Sequence, residues 1–202
     1  ANGATIFTGT TISGPTITPQ VALTLTSVFS AINVISRDFA SLKPRVKQEI
    51  RGGGWKPAPK MQVDKILRRE INPARPRSTP IRFLQTIMAH TLGHGSGYAE
   101  IYRDGDGDPY GLELLNPLTT YAAEDDRNQL YYKTENGDRR PEDILHLAGL
   151  SFDGVSGYTP VGMCREAVGL GKAAEQFGAS VFGNGAIPKG YLKMPHKLTD
   201  TA

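Results

Sequence analysis

Between residues 93 and 98 the apolar pattern of this chain changes its period, and that change limits the fold more than any other feature. Before it, apolar side chains recur at three- and four-residue steps; after it, they alternate. Gly93, Gly95 and Gly97 stand at the junction, where a helix does not continue easily. Helical segments on both sides of a block of short strands and tight turns describe an α+β domain: short antiparallel strands and hairpins packed with three to four helices.

The longest helical pattern is residues 24–42, where Leu25, Val28, Phe29, Ile32, Ile35, Phe39 and Leu42 mark one apolar face and Pro44 ends it. A shorter helix is predicted over 61–71. Thr79 is a good cap with Pro80 at the first helical position, and that helix runs through Leu92. Thr159-Pro160 opens the last, over 160–182, with Cys164, Ala167, Val168, Gly171, Ala174, Phe177, Gly178 and Val181 as its buried stripe. Strands are predicted at 45–50, 98–103, 111–115, 118–123, 129–134 and 144–147, with Asn136-Gly137 as a hairpin turn. Residues 1–20 carry no charge and form an extended arm; 21–198 make a single domain; 199–202 begin a further segment. The apolar runs are too short to span a membrane and no leader pattern is present, so the sequence predicts a soluble, intracellular product.

The formal net charge of +3 conceals a segregation. Residues 37–82 hold 13 Lys/Arg against 4 Asp/Glu, whereas residues 100–153 hold 5 against 13. A uniform basic excess would point to nucleic acid; two opposed blocks in one domain point first to each other or to a neighbouring copy. Phosphate contact through 65–82, by Lys65, Arg68, Arg69, Arg75, Arg77 and Arg82, is the alternative reading.

Catalytic motifs do not assemble. Asp104, Asp106 and Asp108 start like a calcium loop, but the positions that need Gly and a bidentate Glu hold Pro109 and Leu115, so a hairpin turn is favoured. His90 and His94 have zincin spacing, but Thr91 stands where the general base belongs. A metal-dependent hydrolase centred on them is a third, weaker class. The glycine clusters complete neither a dinucleotide nor a P-loop pattern. The single cysteine, Cys164, excludes a disulfide framework and Cys-built metal sites, and its place on an apolar stripe favours packing over nucleophilicity. No cofactor and no metal are expected.

Three stretches carry a family resemblance. The first is Ser27-Val28-Phe29-Ser30-Ala31-Ile32 through Ala40-Ser41-Leu42-Lys43-Pro44. The second runs from Phe83 to Tyr98-Ala99-Glu100-Ile101 and Arg103-Asp104-Gly105. The third is Pro141-Glu142-Asp143-Ile144-Leu145-His146, Asp153-Gly154, Gly157, Thr159-Pro160, Arg165-Glu166-Ala167-Val168-Gly169-Leu170, Ala174-Glu175 and Asn184-Gly185-Ala186. In this order and spacing the chain resembles the HK97-type portal proteins of tailed phages. Lys43 stands where that family usually has Leu before the proline, and Ser96 where Asn is usual.

The resemblance implies a non-enzymatic, wing-like part of a homo-oligomeric ring, typically of twelve copies, at the capsid vertex. Double-stranded DNA is packaged and ejected through such a ring. Its partners are the major capsid protein, the terminase motor and the tail connector; its place is the virion, and the host cytoplasm during assembly. No membrane partner is implied. Stem, clip and crown-side parts of the family lie beyond residue 202. Ring closure needs two unlike patches on each subunit. The charge blocks supply a candidate pair: Arg68, Arg69, Arg75 and Arg77 facing Asp104, Asp106, Glu124, Asp125 or Asp126 of the next copy. The alternative is that both blocks are solvated or neutralise each other within one chain.

Overall fold

The structure, a computed structural model, describes residues 9–42, 44–58, 61–76 and 78–185. Lys43, Arg77, the first eight residues of the arm and the segment at 199–202 lie outside the described residues. The architecture is α+β, and the described residues form six α-helices and four small antiparallel sheets.

The described part of the arm forms a short hairpin that packs on the last helical region, where Ile17 joins Val161 and Val168. Strands β1 (Gly9–Thr10) and β2 (Thr16–Ile17) pair, and helix α1 (Pro19–Leu23) follows, with the Thr18 hydroxyl accepting from Val21 N–H. Helix α2 (Thr26–Ser41) comes next. Strands β3 (Lys47–Glu49) and β4 (Trp55–Pro57) form a hairpin whose turn carries Gly52, Gly53 and Gly54, all at positive φ. Helix α3 (Gln62–Arg68) leads to helix α4 (Pro80–His94), which is capped by Thr79 at its start and by left-handed Gly95 at its end.

The middle of the chain is strand-rich, as its alternating pattern predicts. One sheet has the order β10-β5-β6, from β5 (Ser96–Arg103), β6 (Pro109–Leu114) and β10 (Ile144–Ala148). The other has the order β7-β8-β9, from β7 (Tyr121–Glu124), β8 (Leu130–Thr134) and β9 (Gly137–Arg139). The last helical region differs from the single helix predicted over 160–182. It is two helices, α5 (Pro160–Met163) and α6 (Arg165–Gly183), broken at Cys164, whose ψ of 17° leaves the helical range. Cys164 is exposed, not buried. Of the stripe predicted with it, Val168 is buried and Gly171 half-buried, while Ala167, Ala174, Phe177 and Val181 are exposed. Amphipathicity reports that a face needs a partner; this partner is not in the described chain.

The core divides into three clusters. The largest places Phe83, Leu84 and Ile87 of α4 against Ala99 and Leu112 of the β10-β5-β6 sheet, with Ala40 of α2 and Ile66 of α3 closing it. A second joins Ile17, Ala22, Val161 and Val168. A third joins Tyr98, Ala122, Tyr132 and Ile144 under the β7-β8-β9 sheet.

The clusters are held in register by a backbone junction. Gly149 N–H donates to Gly95 O at 2.9 Å, and the Gly157 backbone lies directly against Gly95. A side chain built on Gly157 overlaps Gly95 O, and one built on Gly95 overlaps Gly157 O. The Thr91 hydroxyl lies 3.0 Å from the carbonyls of both Ile87 and Leu147 and shares its proton between them. The Thr159 hydroxyl donates to Gly93 O at 2.7 Å. Helix α4, strand β10 and the start of α5 therefore meet at one point. The obstacle to any Cβ there is main chain, which cannot swing away as a side chain can. Gly157→Ala is expected to lower the urea midpoint by an amount equivalent to at least about 2 kcal/mol, at the upper end of ordinary overpacking costs. Gly178→Ala, where no neighbour lies within 4 Å of the built Cβ, is the control and is expected to leave the midpoint unchanged or raised. Equal midpoints for Gly157→Ala and the parent would refute the junction.

Candidate assembly surface

The basic block is partly spent inside the chain. Arg68 sits in the last turn of α3 and bridges Asp64, one turn earlier, at 3.6 Å. Arg69 is the exposed cap residue that follows. Arg75 leaves a turn whose N–H groups, its own and Ala74's, donate to the Asn72 side-chain oxygen, and it grips Glu113 of β6 at 2.8 Å. The Tyr102 hydroxyl donates to the same carboxylate at 2.7 Å, and that bond pushes the phenol up to about 12. A hollow of about 200 Å³ beside this pair is lined by Ile71, Ser78, Phe83 and Leu112.

The acidic block is likewise organised from within. Asp104 accepts from the N–H groups of Asp106 and Asp108 and so closes its own hairpin turn. Asp125 does the same for Arg127 and Gln129. Glu124, Asp106 and Asp126 are exposed at the strand end and the turn tips. Arginines within the acidic stretch neutralise part of it: Arg139 holds Glu100, and Arg103 holds Asp143 at 3.3 Å. The structure thus links the two blocks through Arg75 and Glu113. Among the described residues it does not bring Arg68, Arg69 or Arg75 onto the predicted acids within one chain.

His90 and His94 lie one turn apart on an unbroken α4, so Gly93 does not separate their faces. Both are half-buried, and burial pushes both imidazoles down. Among the described residues no group of three or more His, Cys, Asp or Glu side chains is placed to hold a metal ion. Thr91, at the base position, is occupied with backbone carbonyls. No described helix is long and apolar enough to cross a membrane.

Sequence reasoning missed two features. One is His146 on β10, stacked on Tyr98 with ring centroids 4.6 Å apart. Its Nδ1 lies 3.1 Å from the Tyr132 hydroxyl and its Nε2 lies 3.0 Å from Ser96 Oγ. A neutral ring protonated on Nε2 accepts at one contact and donates at the other. Burial pushes the imidazole down to about 4. The other is a set of large apolar side chains without cover. Phe29, Ile35 and Leu42, which mark the apolar face of α2 and its exit, are exposed, because α2 meets α4 through Ser36 and Ala40 instead. Leu150 and Phe152 stand almost wholly in solvent in the loop before α5. The pattern around them has no period, so nothing in it told their exposure.

Comparison with known proteins adds to this geometry. A family model described as phage portal protein matches residues 26–202. The curated "Probable portal protein" of Streptomyces phage phiC31 is 25% identical over 214 residues, covering 93% of this chain and 43% of that protein. An HK97 family phage portal protein from Corynebacterium diphtheriae has a TM-score of 0.58 at 16% identity, over 95% of this chain and 58% of that one. A chain in the neck of an empty gene transfer agent particle, solved with C6 symmetry, has a TM-score of 0.63 at 20% identity, over 93% and 53%. At these identities the solved structures show a shared fold. The chain spans about half the length of the relatives it matches.

The His146 environment predicts a pH dependence. Its folded value lies below the ordinary value of 6.5, so between pH 6.5 and 4 the unfolded chain holds more protons. This contribution is complete above pH 6.5 and is lost as pH falls towards 4; His90 and His94 act in the same direction. His146→Gln is expected to flatten the fall of the denaturation midpoint across that window. An unchanged slope would show that the ring is not held neutral by the fold.

Proposed function

The chain belongs to the phage portal protein family, and from that premise we propose that it is a structural subunit of a portal ring, through which double-stranded DNA is packaged and ejected. The observation that carries the reading is the family match over residues 26–202, supported by a common fold over more than nine-tenths of the chain. Its role in this reading is assembly, not catalysis. The complete protein forms a closed homo-oligomer, typically of twelve copies. It sits at the capsid vertex of the virion, having been assembled in the host cytoplasm. Its further partners are the major capsid protein, the terminase motor and the tail connector. The DNA is met mostly by parts of the protein outside these residues.

Within this reading the charge-matched seam takes a narrower form. Arg68 and Arg75 have partners in the chain, so among the predicted arginines that are described Arg69 is the one whose reversal disturbs least internally. Asp106, Glu124 and Asp126 are the exposed acids that remain for it. Opposite patches steer unlike faces together and penalise like pairing.

Two measurements test these proposals. Native mass spectrometry of the full-length gene product is expected to find a closed ring of identical subunits; a monomer at assembly concentrations overturns the ring. Arg69→Glu is expected to reduce ring yield at low ionic strength, and Asp106→Lys in the same chain to restore part of it. Yield unaffected by the arginine reversal removes the charged seam and leaves the ring.

A further inference from the structure

The loop between β10 and α5 and the outer face of α6 are both apolar, both exposed and unlike in shape. We propose that Leu150 and Phe152 of one copy seat on the α6 face of the next copy of this chain. The inference rests on the ring reading above and supplies a contact for it.

The loop is a rigid mount. A β-bridge joins Ser151 to Gly157, and Tyr158 N–H donates to Leu150 O at 2.7 Å. The Asp153 carboxylate accepts from the Ser151 hydroxyl at 2.7 Å and from the N–H groups of Val155 at 2.8 Å and Ser156 at 2.7 Å. These donors, the Ser151 hydroxyl foremost, hold Asp153 well below the usual carboxylate range. At its base, Val155 packs on the Tyr98 cluster and Gly157 lies against Gly95. On this mount Leu150 is 84% and Phe152 90% exposed. An apolar tip already fixed by its own hydrogen bonds loses little freedom when it is covered.

The receiving face has complementary relief. Ala167, Leu170, Ala174, Phe177 and Val181 recur at alternating three- and four-residue steps, which sets them along one side of α6. Leu170 is 65% and Phe177 73% exposed, and the alanines between the larger side chains leave recesses. The Lys172–Glu175 ion pair lies off this line. Within the chain, α6 is anchored near its start: Ile12 N–H donates to Glu166 at 3.0 Å, Gly169 faces Thr11, and Gly171 faces Leu25. Its later turns carry Gly178 and Gly183, weak helix formers, with hardly any burial. A short helix is marginal in water without packing, so this half of α6 needs cover from outside the described chain.

A second copy fits that need better than a separate protein. At 1.5 Å per residue the face from Ala167 to Val181 is about 21 Å long, and at about 10 Å wide it offers roughly 200 Å². A stable two-chain interface buries about 800 Å² on each side. The contact is therefore too small to stand alone and suits one of several repeated around a closed assembly. Cyclic closure requires unlike patches on the same chain, and a convex tip with a recessed face provides them. Neither patch brings an unpaired charge to the other: the Asp153 carboxylate is already satisfied within its loop.

The test uses the full-length protein with Cys164→Ser as background, so that the exposed native thiol is silent. Ser156→Cys beside the loop tip and Ala174→Cys between Leu170 and Phe177, which leave both phenylalanines in place, are introduced together and singly, and assembled protein is treated with a short bis-maleimide. The double variant is expected to give a ladder of covalent dimers and higher multimers, and each single variant only monomer. Phe152→Ser, a change at an exposed side chain, is expected to lower ring yield at least tenfold while far-UV circular dichroism is unchanged. Rings from the parent with no ladder from the double variant, or full yield from Phe152→Ser, overturn the pairing and leave the ring reading intact. Dimers from a single variant show like-to-like contact and overturn it as well. A parent that stays monomeric overturns the ring reading and, with it, the pairing.

Discussion

Everything in this domain is arranged around the place where three stretches of main chain touch without side chains between them. Gly95 ends α4, Gly149 ends β10, and Gly157 precedes the cap of α5. Because Gly149 N–H meets Gly95 O and Gly157 lies on the same carbonyl, the helix, the sheet and the last helical region have one permitted relative position. Thr91, Ser96 and Thr159 extend the junction outward through their hydroxyls, to Leu147, His146 and Gly93 respectively. Main chain in contact with main chain excludes even a methyl group, which is a stricter requirement than the packing of a core allows on average.

That junction explains what looked like a phosphate-binding cluster. Gly95 and Gly97, at the start of a strand, are each needed for close approach, whereas a Cβ on Gly93 would meet nothing within 4 Å. Gly95 takes φ of 87° as the helix cap, and Gly97 lies against Ile87 O and the Thr91 hydroxyl. His146 belongs to the same construction. Its two nitrogens join the sheet to Ser96 beside the junction and to Tyr132 in the third cluster, and burial keeps the ring neutral. The glycines and the histidine are thus accounted for by structure, without invoking a reaction.

The helices with strong period and good caps were legible: α2 and α4 lie where Leu25–Leu42 and Thr79–Leu92 place them. So was the hairpin at Asp104–Asp108, where the carboxylates serve turn geometry. The break at Cys164 was not, since neither Cys164 nor Arg165 is a helix breaker and the pause comes from the tight turn that starts at the Thr159 cap. The charge segregation was legible as a composition, but its local neutralisation was not. Arg75 reaches Glu113 across 38 positions of sequence, a pairing fixed by the turn at Asn72 and the edge position of β6. The exposure of Phe177 was misread for a general reason. Periodicity reveals that a face is apolar, and says nothing about whether the same chain covers it.

This distinction separates the parts of the domain that stand alone from the parts that depend on company. The junction, the α4–sheet core and the hairpins close their hydrogen bonds and bury their apolar groups within one chain. The second half of α6, the outer flank of α2 and the tip of the 150–156 loop do not. Local opening costs least where burial is least, so the later turns of α6, which bury almost nothing, open more easily than its anchored start. In the contact proposed above, the prefixed loop would lose little entropy on being covered, and the less buried half of α6 would be the element that is ordered.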